Sequence, residues 1–343
     1  FSLLFAMHPR NKHREYLDYR DLAKKQKGLR RFVYENQWGG ASIDYSDPEA
    51  LEELTRSLLA EFYQIQHWNL PAGYLCPPVP QRVDYLHIMA DLLRDTLKPA
   101  EGTEGPEDPE GPEGKQETQI PQGLCGLDIG TGASCIYSLL GAREYAWRFI
   151  ASDIDAVALQ HASQLVAENG LEKQITLRRQ EDPKRVLRGV MPKKVSQSVA
   201  FAVCNPPFHE SLEQAQQAAR SKWQRLGKEL ESKNYQGREL ELCCEGGEVG
   251  FVQRFAEESA KVCYRSKCVW FSSLLSRHSS WQPVVDKLRQ LGAKHRSFEL
   301  GTGRNVKWVI AWTFLPKSLR RLQLQLQLML VETEEPPRKK RRS

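Results

Sequence analysis

The chain has 343 residues, of which 40% are hydrophobic and 27% charged, and its formal net charge is +6. This composition is typical of a globular protein and excludes a fibrous or wholly disordered chain. No apolar run approaches the ~20 residues that a membrane-spanning helix needs. None of the eight cysteines forms a Cys-x-x-Cys pair, so we expect no metal site, and free thiols indicate a reducing, intracellular compartment.

Basic residues are concentrated near the start of the chain, beside aromatic residues such as Tyr16 and Trp38. Cations bind phosphates and aromatic rings stack on bases, so this segment suits a nucleic acid. A solvated helix face would give the same charge pattern. We assign nucleic-acid binding to seven cations: Arg10, Lys12, Arg14, Lys24, Lys25, Arg30 and Arg31.

Two helices are predicted in this N-terminal part, which we take as a basic, helical nucleic-acid-binding module over residues 1–98. The first covers 47–68, with Asp47 as its N-cap and Pro48 in its first turn. A stiff connector, 73–80, leads to a second helix over 83–97. The Gly/Pro/Glu-rich tract that follows cannot bury apolar surface, so 99–122 is predicted to be a disordered acidic linker.

From Leu124 onward, apolar strand-like runs alternate with helical patterns. Such alternation predicts an α/β fold with a mostly parallel, doubly wound sheet over residues 123–316. Two last strands around Gly301 predict an antiparallel hairpin at one edge. The predicted strands are 124–128, 147–152, 174–178, 199–204, 267–273, 295–300 and 306–314. One predicted helix begins at about Ile136, and three others cover 156–168, 248–262 and 281–291.

Two polar segments lie outside this pattern. Residues 210–239 predict a mobile loop that engages substrate through Lys222, Trp223 and Arg225, although an ordinary surface helix is equally compatible. Residues 317–343 are predicted to be a C-terminal extension. Its basic run at 336–342 is typical of a nuclear localisation signal or a phosphate-binding tail, and we favour a nuclear or nucleolar protein.

A glycine-rich loop follows the first strand of the predicted sheet. Asp128, Gly130, Gly132 and Ser134 form a D-x-G-x-G pattern, in which glycines allow a tight turn close to a ligand. An acidic residue at the end of the second strand can accept both hydroxyls of an adenosine ribose; Asp153 and Asp155 are both candidates, and Asp153 is nearer the strand end. The neighbouring Asp155 suits a helix N-cap. The pattern is typical of an S-adenosyl-L-methionine site.

The fourth strand ends in Asn205-Pro206-Pro207-Phe208. Two prolines stiffen this turn, whose side-chain and backbone oxygens can accept both hydrogens of one planar NH2 group. Phe208 offers a flat face for stacking on a ring. Because the first and fourth strands are neighbours in a doubly wound sheet, this turn and the glycine loop should share one crevice. A nicotinamide enzyme would explain the glycine loop and Asp153, but not this turn.

The chain closely resembles the RlmF/METTL16 family of adenine-N6 RNA methyltransferases, whose branches act on large-subunit ribosomal RNA or U6 small nuclear RNA. The resemblance covers Met7 to about Leu315. It is carried by six segments in order: 7–14, Gly73-Tyr74-Leu75-Cys76-Pro77-Pro78, 127–137, 205–209, Cys244-Glu245-Gly246-Gly247-Glu248 and Ala311-Trp312-Thr313-Phe314.

This resemblance implies a Rossmann-like class I methyltransferase that binds S-adenosyl-L-methionine through Gly130, Ser134, Asp153 and Asn205. It also implies that Arg82 pairs with the methionine carboxylate, and that Arg10, Lys12 and Arg14 bind RNA. The expected reaction is N6-methylation of a flipped adenine held by the Asn-Pro-Pro-Phe turn, and the expected partner is a structured RNA bound by a monomer. Guanine-N2 of ribosomal RNA, a protein glutamine amide and a non-catalytic RNA-binding adaptor remain open as alternatives.

Overall fold

This computed structural model describes residues 7–99, 119–194, 197–225, 237–302 and 305–334. The predicted acidic tract at 101–117, the basic tail at 336–342 and the side chains of Lys222, Trp223 and Arg225 lie outside the described part. In the described ranges, no helix is both long and apolar enough to span a membrane.

The N-terminal part contains three helices, a 3-10 helix and a short hairpin. These are α1 (Tyr19–Lys25), the 3-10 helix Lys27–Phe32, β1 (Tyr34–Glu35), β2 (Ala41–Ser42), α2 (Pro48–Tyr63) and α3 (Val79–Leu97). Asp47 caps α2 as predicted, accepting a hydrogen bond from the amide of Glu49 at 2.9 Å. The helix ends five residues earlier than predicted because Gln64 adopts a left-handed conformation, with φ of 56°.

Helix α3 begins at Val79, four residues before the predicted start. Pro80 lies in its first turn, where no backbone N–H is needed for an intrahelical bond, so a proline-rich connector can lead directly into a helix. The prediction that 73–80 is wholly extended was therefore wrong at its end.

Seven strands form the large sheet, with the strand order β5-β4-β3-β6-β7-β9-β8. The strands are β3 (Cys125–Ile129), β4 (Arg148–Asp153), β5 (Ile175–Arg179), β6 (Val199–Cys204), β7 (Cys268–Leu275), β8 (Lys294–Thr302) and β9 (Asn305–Thr313). The first five strands are parallel to one another, while β9 pairs antiparallel with both β7 and β8. The predicted parallel sheet with an antiparallel edge hairpin is confirmed.

Helices connect and cover these strands. They are α4 (Ile136–Tyr145), α5 (Ala156–Glu168), α6 (Leu212–Arg225), α7 (Glu239–Leu242), α8 (Gly247–Ser259), α9 (Val262–Arg265), α10 (His278–Gln290) and α11 (Lys317–Glu334). Helix α11 was not predicted: Leu324 is buried on the rest of the fold, whereas Leu322 and Leu326 are about half exposed. Because leucine alternates with glutamine here, the local pattern has the period of a strand rather than a helix.

The first and fourth strands of the sheet, β3 and β6, are parallel neighbours. Chain winding therefore changes direction between them, which opens a crevice at their carboxyl ends. In this register Ile129 pairs with Cys204, so Gly130 and Asn205 each follow directly after the paired positions. The predicted convergence of the glycine loop and the Asn-Pro-Pro-Phe turn is confirmed.

The N-terminal helices share a hydrophobic core with one face of the sheet. Trp147 and Phe201 of the sheet layer lie in contact, with ring centroids 4.6 Å apart. From α3, the hydroxyl of Tyr85 lies 2.8 Å from the Ser272 hydroxyl in β7. The division of the chain at residue 98 stays a prediction, but α3 packs on the sheet as an integral layer of the fold.

Candidate active site

The loop after β3 turns sharply at two glycines. Gly130 has φ of +70° and Gly132 has φ of +64°, a region that side-chain-bearing residues rarely adopt. A Cβ at Gly130 would meet no atom within 4 Å, so the conformation, and not crowding, requires glycine there. The amides of Gly130 and Thr131 both donate to the carbonyl of Ser152 at 2.9 Å, which ties the loop to the end of β4.

Asp153 lies at the end of β4 and holds this loop from the side. Its Oδ2 accepts from the amide of Gly132 at 2.8 Å, and its Oδ1 accepts from the amide of Asp155 at 2.9 Å. Burial raises the pKa of Asp153. Its carboxylate lines the crevice as predicted for a cofactor contact.

Asp155 caps helix α5, as its sequence position suggested. Its Oδ1 accepts from the amides of Val157 and Ala158, and its Oδ2 accepts from the hydroxyl of Tyr74 at 2.7 Å. Burial alone would raise the pKa of Asp155, but the hydrogen bond from Tyr74 and those from the amides lower it. The carboxylate therefore stays ionised and joins α5 to the N-terminal part.

Asp128 does not lie where a cofactor contact was predicted. Its side chain is fully buried beneath the loop, where Oδ2 accepts from the hydroxyls of Thr131 and Ser138, each at 2.8 Å. Its Oδ1 has no hydrogen-bond partner among the described residues, and burial raises its pKa to about 6. Asp128 supports the glycine loop from below, so its assignment as a cofactor ligand is corrected.

The Asn-Pro-Pro-Phe turn forms the opposite wall of the crevice, and all four of its residues line it. The Oδ1 atom of Asn205 is buried and has no hydrogen-bond partner within the described part of the chain. A buried amide oxygen left unpaired costs free energy, roughly 1–3 kcal/mol, that a ligand donor would recover. Asn205 therefore presents an acceptor to whatever occupies the crevice.

Phe208 is the aromatic end of this turn. The ammonium of Lys307, from β9, lies 5.9 Å from the centroid of the Phe208 ring, and both residues line the crevice. A flat ring beside a cation suits a planar, electron-rich ligand. Lys307 was not predicted as a site residue, because nothing in its local sequence pattern distinguishes this half-buried lysine of β9 from other lysines of the chain.

Arg82 reaches the crevice from α3. It is 8% exposed, and its Nη1 donates to the hydroxyl of Tyr137 at 2.8 Å. Its Nε is buried without a partner among the described residues. A buried guanidinium with an unused donor suits an anionic group, so the geometry fits the predicted pairing with a carboxylate.

These elements enclose a cavity of about 500 Å³, a size typical of small-molecule sites. Gly130, Gly132, Ser134, Asp153 and the Asn-Pro-Pro-Phe turn line it, as predicted. Several further lining residues were not predicted as site residues, because they come from segments far apart in the chain: Tyr74, Tyr137, Gln180, Leu240, Glu241, Phe251 and Lys307.

The basic N-terminal segment folds back on α3 and α4 instead of projecting as an arm. Arg10 donates to Asp91, to the carbonyl of His87 and to the hydroxyl of Tyr145. The ammonium of Lys12 pairs with the carboxylate of Glu144, in α4, at 2.6 Å. The remaining cations form exposed pairs or lie at the surface: Lys24 with Asp21, Lys25 with Glu61, Arg31 with Glu49, and Arg14 and Arg30 exposed.

The contacts of Arg10 correct its predicted role. All of its guanidinium nitrogens donate inside the protein, so its charge anchors the segment to α3 and α4. Burial alone would lower the pKa of Arg10, but Asp91 and Tyr145 raise it. Arg14, Arg30 and Arg31 keep the exposure that phosphate binding requires.

A family model described as RNA methyltransferase matches residues 2–103 and 113–316 of this chain. The chain belongs to this family. Among its RNA methyltransferase relatives is ribosomal RNA large subunit methyltransferase F of Pseudomonas savastanoi pv. phaseolicola, 43% identical over 323 residues that cover 92% of each chain. The protein of the same name in Aeromonas salmonicida is 41% identical over 314 residues, which cover 90% of this chain and 92% of the relative.

Solved structures support the same membership. The catalytic domain of human METTL16 in complex with MAT2A 3′UTR hairpin 1 matches with a TM-score of 0.72 and 29% identity, covering 90% of this chain and 96% of that one. The N-terminal domain of human METTL16 in complex with SAH matches with a TM-score of 0.68 and 28% identity, covering 91% and 100%. The class I methyltransferase fold and the RlmF/METTL16 resemblance are confirmed.

One prediction fails against these relatives. The curated proteins at 40–43% identity come from Pseudomonas and Aeromonas species, which have no nucleus. The interpretation of the basic run at 336–342 as a nuclear or nucleolar signal was therefore wrong. A short run of lysine and arginine is a weak indicator of a nuclear signal, because the same composition can bind any polyanion.

Proposed function

We propose that this chain transfers a methyl group from S-adenosyl-L-methionine to N6 of an adenine in large-subunit ribosomal RNA. The observation that carries the proposal is the buried, unpartnered Oδ1 of Asn205 beside the glycine loop. Identity favours ribosomal RNA over U6 small nuclear RNA, since the relatives at 43% carry the ribosomal name whereas the METTL16 structures are 28–29% identical.

The cavity fits the cofactor by its chemistry. Arg82 offers an unused donor to the methionine carboxylate, and Asp153 offers carboxylate oxygens to the ribose. The open space at Gly130 admits a ligand close to the backbone. When bound there, S-adenosyl-L-methionine supplies an electrophilic methyl group carried on a sulfonium.

Asn205 and the carbonyl of Pro206 act on the other reactant. The amine of adenine is a weak nucleophile because its lone pair is delocalised into the ring. Accepting its two hydrogens holds the nitrogen in place and favours a more tetrahedral geometry, with the lone pair directed away from the acceptors. Positioning of this kind supplies several kcal/mol in intramolecular reactions.

No protein base is needed in this scheme. The proton leaves only after the nitrogen has become cationic and strongly acidic, so water suffices as the acceptor. An adenine enters the cavity only when flipped out of its stack, and Phe208 offers the ring on which it then stacks. The cations Arg14, Arg30 and Arg31 are exposed for the RNA backbone. A monomer without metal stays a prediction.

The test is methylation of unmodified large-subunit ribosomal RNA with isotopically labelled cofactor, followed by mass spectrometry of the nucleosides. We expect labelled N6-methyladenosine, formed about a hundredfold more slowly or slower still by Asn205→Ala. Labelled N2-methylguanosine would establish the guanine alternative, and label in protein would establish a glutamine amide as substrate. Tight RNA binding without any transfer would establish a non-catalytic adaptor.

A further inference from the structure

Residues 237–241 close one side of the cavity and are fastened to the N-terminal part. The amide of Gly237 donates to the carbonyl of Gly73 at 2.9 Å, and Arg238 donates to the hydroxyl of Tyr74 at 2.9 Å. From Glu241, Oε2 accepts from the amides of Leu75 and Arg238, at 3.2 and 3.1 Å. The bonds to Gly73, Tyr74 and Leu75 thus hold this segment across the cofactor half of the cavity.

The second oxygen of Glu241 faces the glycine loop. Its Oε1 lies 3.8 Å from the place that a Cβ at Gly132 would occupy, and Glu241 lines the cavity. Asp153 contacts the same glycine through its amide. The two carboxyl groups therefore flank Gly132, one from β4 and one from the segment that closes the cavity.

We propose that Glu241 is a second acceptor for the hydroxyls of the cofactor ribose, opposite Asp153. This inference rests on the function proposed above and adds a binding residue to the same site. A vicinal diol offers two donors, and both oxygens of Asp153 already accept a backbone amide. A second carboxylate gives the diol an acceptor that the glycine loop does not share.

A purely structural role explains only half of the geometry. Glu241 forms a capping box at α7 through the amide of Arg238 and also fastens the segment to the amide of Leu75, and these two structural contacts account for both of its Oε2 bonds. They do not account for a carboxyl group in a cavity that already contains Asp153 and Asp155. Burial, together with those two neighbours, raises the pKa of Glu241 to about 7. A glutamine would cap the helix without that electrostatic cost, so the acid itself needs a ligand to explain it.

The experiment measures binding of S-adenosylhomocysteine and its 2′-deoxy and 3′-deoxy analogues by calorimetry. Wild-type protein should bind at least one deoxy analogue about tenfold more weakly, the usual effect of losing a hydrogen bond to a charged group. Glu241→Gln should bind S-adenosylhomocysteine about tenfold more weakly and should distinguish that analogue much less. Glu239→Gln is the matched control, since Glu239 is exposed on the same short helix.

Other outcomes separate this inference from the proposed function. If Glu241→Gln keeps wild-type affinity, or keeps wild-type discrimination against the deoxy analogues, Glu241 serves only as a cap and the inference fails alone. If wild-type protein does not bind S-adenosylhomocysteine, both proposals fail. Should Glu241→Gln not fold, wild-type protein still decides, because equal affinity for all three ligands overturns the inference.

Discussion

The Oδ2 atom of Asp153 accepts a hydrogen bond from the amide of Gly132 at 2.8 Å. This contact joins the end of β4 to the loop that follows β3, so two adjacent strand ends are held in one fixed arrangement. The residue proposed to bind the ribose therefore also shapes the loop proposed to bind the rest of the cofactor. Substitution there should affect both.

Asp153→Asn should weaken binding of S-adenosylhomocysteine by at least tenfold. Asparagine has one acceptor oxygen where aspartate has two, so one of the amides of Gly132 and Asp155 would face an NH2 group. Calorimetric titration measures the loss. Asp286→Asn, an exposed site on α10, is the control and should bind normally. Unchanged affinity in Asp153→Asn would remove Asp153 from the site.

Asn205→Ala should lower the rate of methyl transfer by about a hundredfold or more, the usual effect of removing one preorganised polar contact to a reacting group. Affinity for S-adenosylhomocysteine should remain measurable and should fall by much less than the rate, because the amide acts mainly on the methyl acceptor. Single-turnover methylation and calorimetry on the same sample check the two halves. A variant with full activity would contradict the proposed role of the turn.

Asp128→Asn tests the supporting role of this buried carboxyl through pH. Burial raises the folded pKa of Asp128 from 3.8 to about 6, so the folded state holds its proton more tightly than the unfolded state does. Wild-type stability should therefore fall, by at most about 3 kcal/mol, as pH rises from about 4 to 6, and then level off. The amide of asparagine does not titrate.

Urea unfolding at several pH values measures this difference. The stability of Asp128→Asn relative to wild type should rise across pH 4 to 6 and stay constant above, since both hydroxyl donors keep an acceptor oxygen. Affinity for S-adenosylhomocysteine should change little. A stability difference independent of pH would show that Asp128 is ionised throughout, and a large loss of affinity would restore it as a cofactor ligand.

Arg10→Gln and Arg14→Gln should separate anchoring from RNA binding. Arg10→Gln removes the hydrogen bonds of Arg10 to Asp91, to the carbonyl of His87 and to Tyr145, although Asp91 keeps His8 and Arg94 as partners. This loss should cost about 2 kcal/mol of unfolding free energy. Arg14→Gln should leave stability unchanged and should weaken RNA binding, with a shallower dependence of affinity on salt. Thermal unfolding and filter binding at several salt concentrations compare the two. Equal effects on RNA binding with no effect on stability would contradict the assignment.

The central strands could be predicted from sequence because their signals are local. Buried parallel strands are continuous apolar runs, and β6 was predicted with the bounds the structure gives, Val199–Cys204. The site could be predicted from the two glycines and the Asn-Pro-Pro-Phe turn for the same reason, because each constrains the conformation of adjacent residues.

The rest depends on contacts between distant segments. Glu241 meets Leu75 across 166 positions of sequence, and Arg10 meets Asp91 across 81. Neither pairing changes the local pattern of charge or hydrophobicity, so the basic segment was predicted to bind RNA and Glu241 was not predicted as a site residue. Asp128 shows the reverse case, in which a residue inside a recognisable motif serves the motif instead of its ligand.

The position of β9 between β7 and β8 has a consequence for the growing polypeptide. During synthesis β8 emerges first, yet in the sheet it touches only β9. Until Asn305–Thr313 has left the ribosome, β8 has no partner and the sheet ends at an open β7 edge. The last strand to appear is therefore the one that joins β8 to the rest of the sheet. Because β9 also carries Lys307, the cavity gains its final wall only when nearly the whole catalytic fold has been made.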